Sequence, residues 1–478
     1  MPEHQQPTNP GESWGGDPAM SAWDALMWRT ESDPRTSSAG LLVEILEHEP
    51  DWERFVNAHE RTVTRIPRLR DRVVEPVLPV VQPTWSADPN FELRHHVRRV
   101  RLLEPANERA LLEQCAALWQ TPLDPRRPPW EATLFTGLEG GRAAYAFRCH
   151  HSLTDGSGLV QLLDIAHSRT SEPSPPTSRA LVVVRPETTP HALFGTGMRD
   201  RISQLPSLAS RNVSRTRSLL TRVTREPGTV AAYLRSLRRL LETEPGPRST
   251  LLATQGTEHA LLTLDVPLPA LKAAGRAAGG SVNDAYLAAV LGGLRRYHEK
   301  HGLMVDRIPI GMPVSLRTEG DATGGNKFAG VRFSAPVSES NPIARMKQIG
   351  DFVRGIRDEP AIGFMEPVSE ALSLLPKTAL IELTAKLTAA SDLQVSNIRG
   401  LDERVFLAGA EVLAMYTFGP RPGVAAMVTL LTYGGSCGIG LTVDARTFPD
   451  LDLLRDCLVK GIDEVLAVGD VVTEGAGR

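Results

Sequence analysis

The 478-residue chain has few cysteines, no long apolar run and no large excess of either charge. Each shortage removes a class of function. The four cysteines, Cys115, Cys149, Cys437 and Cys457, are scattered without metal-binding spacings. No disulfide framework or zinc module is therefore expected, no metal is called for, and a reducing compartment suits the chain. No stretch of 18 consecutive apolar residues is present, so no membrane-spanning helix is expected. The first 19 residues are rich in proline, glycine and polar side chains, without the basic start and apolar core of a signal peptide. They read as a disordered tail, and cytoplasmic residence follows as the expectation. A net charge of −3 gives no overall basicity for nucleic acid. No serine sits in a Gly-x-Ser-x-Gly elbow, so the local sign of a covalent serine nucleophile is also missing.

What is present centres on Cys149-His150-His151-Ser152-Leu153-Thr154-Asp155-Gly156. Residues 142–148 alternate small and aromatic side chains, as a strand entering a core does, and Leu159, Leu162 and Leu163 begin a helical repeat. Two imidazoles therefore stand where a strand gives way to a helix. Histidine takes and returns a proton near neutral pH, so it suits deprotonation of a hydroxyl or amine. Asp155, four residues on, either fixes an imidazole tautomer or anchors the loop to an arginine, and the sequence leaves both open. A second pair, His95-His96, has no Asp-Gly after it and lies in a strand-like run, which makes it structural.

The rest of the chain alternates strands and helices. Strands are expected over 41–46, 98–103, 131–135, 142–148 and 260–266, and helices over 52–63, 108–119 and 342–357. Ser21 to Trp28 caps and opens a short helix, and Ser281 with Asp284 has capping-box spacing. A Ser/Pro linker at 171–178 precedes a basic run, 199–239, that holds ten arginines, no lysine and two acids. Its apolar stripe suits a helix lying on an anionic membrane surface or a solvated crossover between domains. The expected organisation is a tail (1–19), an N-terminal half (20–178), a basic linker (179–250), a C-terminal half (251–468) and a short tail (469–478).

His150-His151-Ser152-Leu153-Thr154-Asp155-Gly156 resembles the active-site signature of the coenzyme A-dependent acyltransferase superfamily, which includes chloramphenicol acetyltransferases and peptide-synthetase condensation domains. Further segments in order are similar to the bacterial wax ester synthase/diacylglycerol acyltransferase family. These are Pro122-Leu123-Asp124 through Pro128-Pro129-Trp130, Asn283-Asp284, Pro313-Val314-Ser315-Leu316-Arg317 before Gly325-Asn326, and Val395-Ser396-Asn397-Ile398-Arg399-Gly400. Pro129 and Arg399 depart from the family's leucine and proline.

The resemblance implies an α/β fold of mixed sheets in two chloramphenicol acetyltransferase-like halves with a tunnel between them. It implies transfer of a fatty acyl group from acyl-coenzyme A, a substrate rather than a cofactor, to diacylglycerol or a long-chain alcohol. His151 would be the general base, with His150 orienting the loop and Asp155 completing the motif. Gly156, Arg317 (as partner of Asp155), Asn283 and Asp284 would support it. Pro128, Trp130, Ser396 and Asn397 would line the acyl-chain or substrate pocket. The oxyanion donor would be a backbone N–H after Gly156 or Asn283. Peripheral association with a membrane or lipid-droplet surface is implied as well. The alternatives are acylation of a polyketide or peptide product, and a non-catalytic lipid or acyl-coenzyme A binding protein of the same fold.

Overall fold

The computed structural model describes residues 14–172, 187–200, 203, 248–253, 256–315, 326, 328–357, 372 and 375–475. Arg317 and nearly all of the arginine-rich 199–239 run lie outside them. The first half runs α1 (Ala22–Thr30), β1 (Ala39–Leu46), α2 (Trp52–Arg65), β2 (Asp71–Val74), β3 (Thr84–Ala87), β4 (Val97–Arg101), α3 (Glu108–Gln120), β5 (Trp130–Leu138), β6 (Arg142–His150) and α4 (Gly156–Ala166). The second runs β7 (His259–Pro267), α5 (Leu268–Ala277), α6 (Val282–Lys300), β8 (Arg307–Ser315), β9 (Phe328–Pro336), α7 (Pro342–Arg357) and α8 (Lys377–Thr388). It continues through β10 (Leu393–Ile398), β11 (Phe406–Leu407), β12 (Ala410–Phe418), β13 (Ala426–Tyr433), β14 (Ser436–Asp444) and α9 (Leu451–Gly475).

Two mixed six-stranded sheets carry these elements. One has the order β11-β12-β1-β6-β5-β4 and the other β7-β14-β13-β10-β8-β9. β6 is a central strand, antiparallel to both β1 and β5. Its alternation sorts the two faces of its sheet as period-2 geometry requires. Tyr145, Phe147 and Cys149 join the core that includes Phe55 and Val63 of α2 and Leu162 and Leu163 of α4. Ala144 and Ala146 face Leu111, Leu112 and Cys115 of α3. The second sheet packs against α5, α6, α7 and α9.

β11 and β12 come from the second half of the chain but complete the first sheet, where β12 pairs with β1 from Leu41↔Phe418 to Leu46↔Val412. The chain thus crosses between sheets inside the stretch expected to form one C-terminal half. The junction is close, because a Cβ on Gly438 or Gly440 of β14 would lie 2.1 Å from the carbonyl oxygen of Met415 or Thr417 on β12.

Both ends differ from the expected tails. Trp14 is fully buried and its Nε1 donates to Gly158 O at 3.2 Å. The buried Arg68 guanidinium donates to Gly16 O and Asp17 O. A tryptophan and a carbonyl-lined arginine give this polar stretch something to pack on, which its composition concealed. At the other end α9 continues to Gly475, past residue 468.

Candidate active site

β6 ends at His150, and hydrogen bonds from both flanking strands fix the residues there. His150 N donates to Pro129 O at 3.0 Å and His151 N to Ser38 O at 2.8 Å. Arg148, 1% exposed, fastens the same strand end through Glu131 at 2.6 Å and the carbonyls of Leu118 and Thr121. Asp155 is the N-cap of α4, its Oδ1 accepting from Gly158 N at 2.8 Å, so one of its functions is to start that helix. Gly156 opens α4 in contact with β10. A Cβ there would come within 2.8 Å of Ile398 Cδ1, so the residue's lack of a side chain lets the histidine loop approach the second sheet.

The two histidines have different partners. His150 is 1% exposed, with Nδ1 2.7 Å from Ser152 Oγ and Nε2 3.2 Å from Glu31 Oε2. The Trp28 ring meets it edge-on at 5.2 Å. Burial raises the Glu31 carboxyl, but His150, the Ser38 N–H and the Ser37 hydroxyl outweigh that and hold it below the usual carboxylate range. His150 is therefore locked in place by a carboxylate and a hydroxyl.

His151 is held by Asn326. Its Nδ1 lies 3.2 Å from Asn326 Oδ1, while Asn326 Nδ2 donates at 2.6 Å both to His151 O and to Asp24 Oδ1. An amide oxygen only accepts, so Nδ1, which faces it, carries the proton and Nε2 carries the lone pair. Burial depresses the imidazole below the ordinary histidine range, Asp155 opposes that, and His150 reinforces it. A neutral ring with its lone pair on Nε2 has the form a general base needs near neutral pH.

Asp24 completes this network. Burial pushes its carboxyl up to about 6 despite hydrogen bonds from Asn326 and Ser21. The sequence places Asp24 in a capped helix similar to the family's N-terminal segment, where an Asp follows a small or polar residue, and Asn326 in a glycine-rich turn; for Asp24 it favours the capping role. The signal for more was the turn's position after Pro313-Val314-Ser315, a segment matched to the family.

The remaining expected residues divide by location. Asn283 lies in the first turn of α6, and its Oδ1 accepts from Asn397 Nδ2 of β10 at 3.4 Å. Ser396 precedes Asn397 on the strand whose Ile398 touches Gly156. Asp284 forms the expected capping box, accepting from Ser281 N at 2.8 Å and Ser281 Oγ at 2.9 Å. Pro128 is buried and its carbonyl accepts from Trp130 N. Trp130, 1% exposed, donates to Leu69 O at 2.7 Å and lines an apolar cavity with Val63, Phe147, Leu162 and Leu407. The second pair, His95-His96, ends and caps a 3-10 turn over Leu93–His95, and strand pairing begins only at Val97. There His96 stacks on Trp130 at 4.6 Å and binds its carbonyl, a packing role. Among the described residues no group of three His, Cys, Asp or Glu side chains is placed to hold a metal, and the four cysteines are buried and unpaired.

Residues 20–286 match the wax ester synthase/diacylglycerol acyltransferase catalytic domain, and residues 324–465 match that family's C-terminal domain. The chain belongs to this family. It is 39% identical over 456 residues to a Mycobacterium tuberculosis protein provisionally named diacylglycerol O-acyltransferase Rv2484c, which covers 93% of this chain and 91% of the relative. A second relative from the same organism, Rv1760, with the same provisional activity in its name, is 25% identical over 99% of this chain and 94% of its own length.

Among solved structures, the wax ester synthase/diacylglycerol acyltransferase of Marinobacter aquaeolei VT8 superposes with a TM-score of 0.62 at 20% identity, covering 94% of this chain and all of that one. The first condensation domain of the calcium-dependent antibiotic synthetase gives 0.60 at 15%, over 95% and 96%. At these identities the likeness is one of fold, and the fold is the two-domain one shared with condensation domains. The chain is an acyltransferase of the family, built on that fold.

Proposed function

We propose that this acyltransferase moves a fatty acyl group from acyl-coenzyme A to the hydroxyl of diacylglycerol or a long-chain alcohol, with His151 as general base. The observation that supports the reading is the 3.2 Å contact of His151 Nδ1 with the Asn326 amide oxygen, an acceptor that calls for a proton on Nδ1 and so leaves the lone pair to Nε2. Nε2 takes the alcohol proton as the oxygen forms its bond to the thioester carbon. The tetrahedral intermediate then expels the thiolate, which takes the proton back from Nε2, leaving an ester and free coenzyme A. A thioester is already activated, so two substrates held together need no acyl-enzyme.

His150, tied to Glu31 and Ser152, would orient the loop. Asp155 and Gly156 set the start of α4, and Asn283, Ser396 and Asn397 would contribute from the second half, beside the strand residue Ile398 that meets Gly156. Peripheral contact with a lipid surface fits the exposed Val77 and Leu78, 44% and 52% exposed, in the proline-bounded loop after β2. A helix at 190–200 lies against Val81, just past that loop, where a Cβ on Gly197 would meet the Val81 side chain. Among the described residues no helix is long and apolar enough to cross a membrane.

The test is coenzyme A release from palmitoyl-coenzyme A with diacylglycerol, hexadecanol or no acceptor, with identification of the lipid product. Acceptor-dependent release that falls by about 10²–10⁴ in His151→Ala is expected. Release unchanged in the variant, or absent with both lipids, contradicts the reading.

A further inference from the structure

Asp24 divides its two oxygens between two tasks. Oδ2 accepts from Ser21 Oγ at 2.8 Å, and Ser21 Oγ accepts from Asp24 N at 3.0 Å, which together cap α1. Capping needs nothing more of the side chain. Oδ1 instead accepts from Asn326 Nδ2 at 2.6 Å, across 302 residues, and the same amide clamps His151 at both its ring and its carbonyl.

We infer that Asp24 is a positioning residue for His151, its carboxylate holding the Asn326 amide in the orientation that keeps the ring proton on Nδ1. The inference rests on the reading of His151 as the base.

The argument is one of donor and acceptor direction. An amide has one accepting and one donating end, and a carboxylate only accepts. While Asp24 is ionised, Asn326 must turn its NH2 toward Asp24 and its oxygen toward His151, and that oxygen demands a proton on Nδ1. Without that carboxyl oxygen the NH2 keeps only the His151 carbonyl among its described acceptors, so the amide is held at one point where it was held at two. The turned form, which offers Nδ2 to the ring and moves the ring proton to Nε2, then becomes accessible, and the lone pair that receives the alcohol proton is lost in it. A neutral Asp24 keeps the clamp by carrying its proton on Oδ2 toward Ser21 Oγ, so what matters is the accepting Oδ1 rather than the charge.

Among the described residues, His150 lies beside Asp24, Glu31 lies against His150, and Asp155 and His150 act on His151. On α8, which packs on α1, Lys377, Glu382 and Lys386 are exposed, and Glu382 is engaged by Arg35 at 2.7 Å. Burial pushes the Asp24 carboxyl up to about 6 against the hydrogen bonds it accepts, and either form can present Oδ1 to Asn326.

The experiment compares kcat and KM of the wild type, Asp24→Ala and Asp24→Asn. The asparagine can give Oδ1 to Asn326 and Nδ2 to Ser21 Oγ, which preserves the clamp, and the alanine cannot. A fall in kcat of about tenfold with KM unmoved is expected in Asp24→Ala, with kcat restored in Asp24→Asn. An alanine variant with the wild-type kcat, or an asparagine variant no better than the alanine, overturns the inference.

The tautomer of His151, read by 15N NMR with His151→Ala for assignment, does not depend on activity. The Nδ1–H form is expected in the wild type and in Asp24→Asn, with the Nε2–H form appearing in folded Asp24→Ala. The Nε2–H form in the wild type, or one tautomer in all three proteins, overturns the inference even if acyl transfer is confirmed. A tautomer change with Asp24→Ala in an inactive protein would instead support the clamp and refute the function.

Discussion

At residue scale, the cost of burying Asp24 has a measurable sign. The carboxyl titrates at 3.8 when exposed and at about 6 in the folded chain, where it is 7% exposed. A raised carboxyl contributes its stability fully below 3.8 and loses it as pH rises through 6, so at neutral pH the ionised group costs the fold about 3 kcal/mol. Asp24→Asn should therefore unfold at a higher temperature than the wild type at pH 8, and the difference should close toward pH 4. A gain that is independent of pH would show that the carboxylate carries no such cost. His150, His151, Asp155 and Gly156 were legible in the sequence because one short motif contains them all. Asp24 and Asn326 were not, since their meeting depends on how α1 and the turn before β9 are brought to the same loop. Arg317, the expected partner of Asp155, lies outside the described residues, and within them Asp155 caps α4.

At the scale of elements, the two sheets depend on glycine where β14 crosses β12. A Cβ on Gly440 would stand 2.1 Å from Thr417 O, a backbone atom that cannot rotate away. Thr429 Oγ1 donates to that same carbonyl, and Thr442 Oγ1 donates to Gly419 O at 3.1 Å. Gly440→Ala should therefore destabilise by about 1–3 kcal/mol or more, read as a lower midpoint in urea. A neutral effect would mean that the sheets can separate without cost. Gly156→Ala is a milder case, because Ile398 meets the new methyl with the end of a flexible side chain. It should lower kcat more than stability by moving the start of α4.

The sequence located most strands and helices through their periodicity, and it read α7 over 342–357, as found. It could not show that β11 and β12 belong to the first sheet. Alternation along a strand reports which face is buried, and carries no information on which sheet the strand joins.

At the scale of the whole molecule, the N-terminal stretch belongs to the fold that positions the site. Trp14 is buried among Met20, Trp28 and Leu162 and bonds to Gly158, two residues into the helix that starts at the histidine loop. Trp14→Ala should cost about 3–5 kcal/mol, and removal of residues 1–19 should lower both the melting temperature and kcat. A truncated protein with wild-type stability would contradict that packing. Composition concealed this role because one tryptophan in a polar, glycine-rich stretch has no periodicity to read. The basic 199–239 run lies almost wholly outside the described residues. The lipid-surface proposal therefore falls on Val77 and Leu78, and Val77→Asp with Leu78→Asp should reduce co-sedimentation with anionic vesicles.

The central claim is direct transfer between two bound substrates under general-base catalysis by His151. It is tested most directly by mixing purified protein with radiolabelled palmitoyl-coenzyme A, without acceptor, and measuring protein-bound acyl group and released coenzyme A before and after alcohol is added. Direct transfer predicts no acyl-protein adduct and no burst of coenzyme A until the alcohol arrives, followed by release matched one for one by ester. An acyl-protein adduct that forms without acceptor and then passes its acyl group to the alcohol would contradict it.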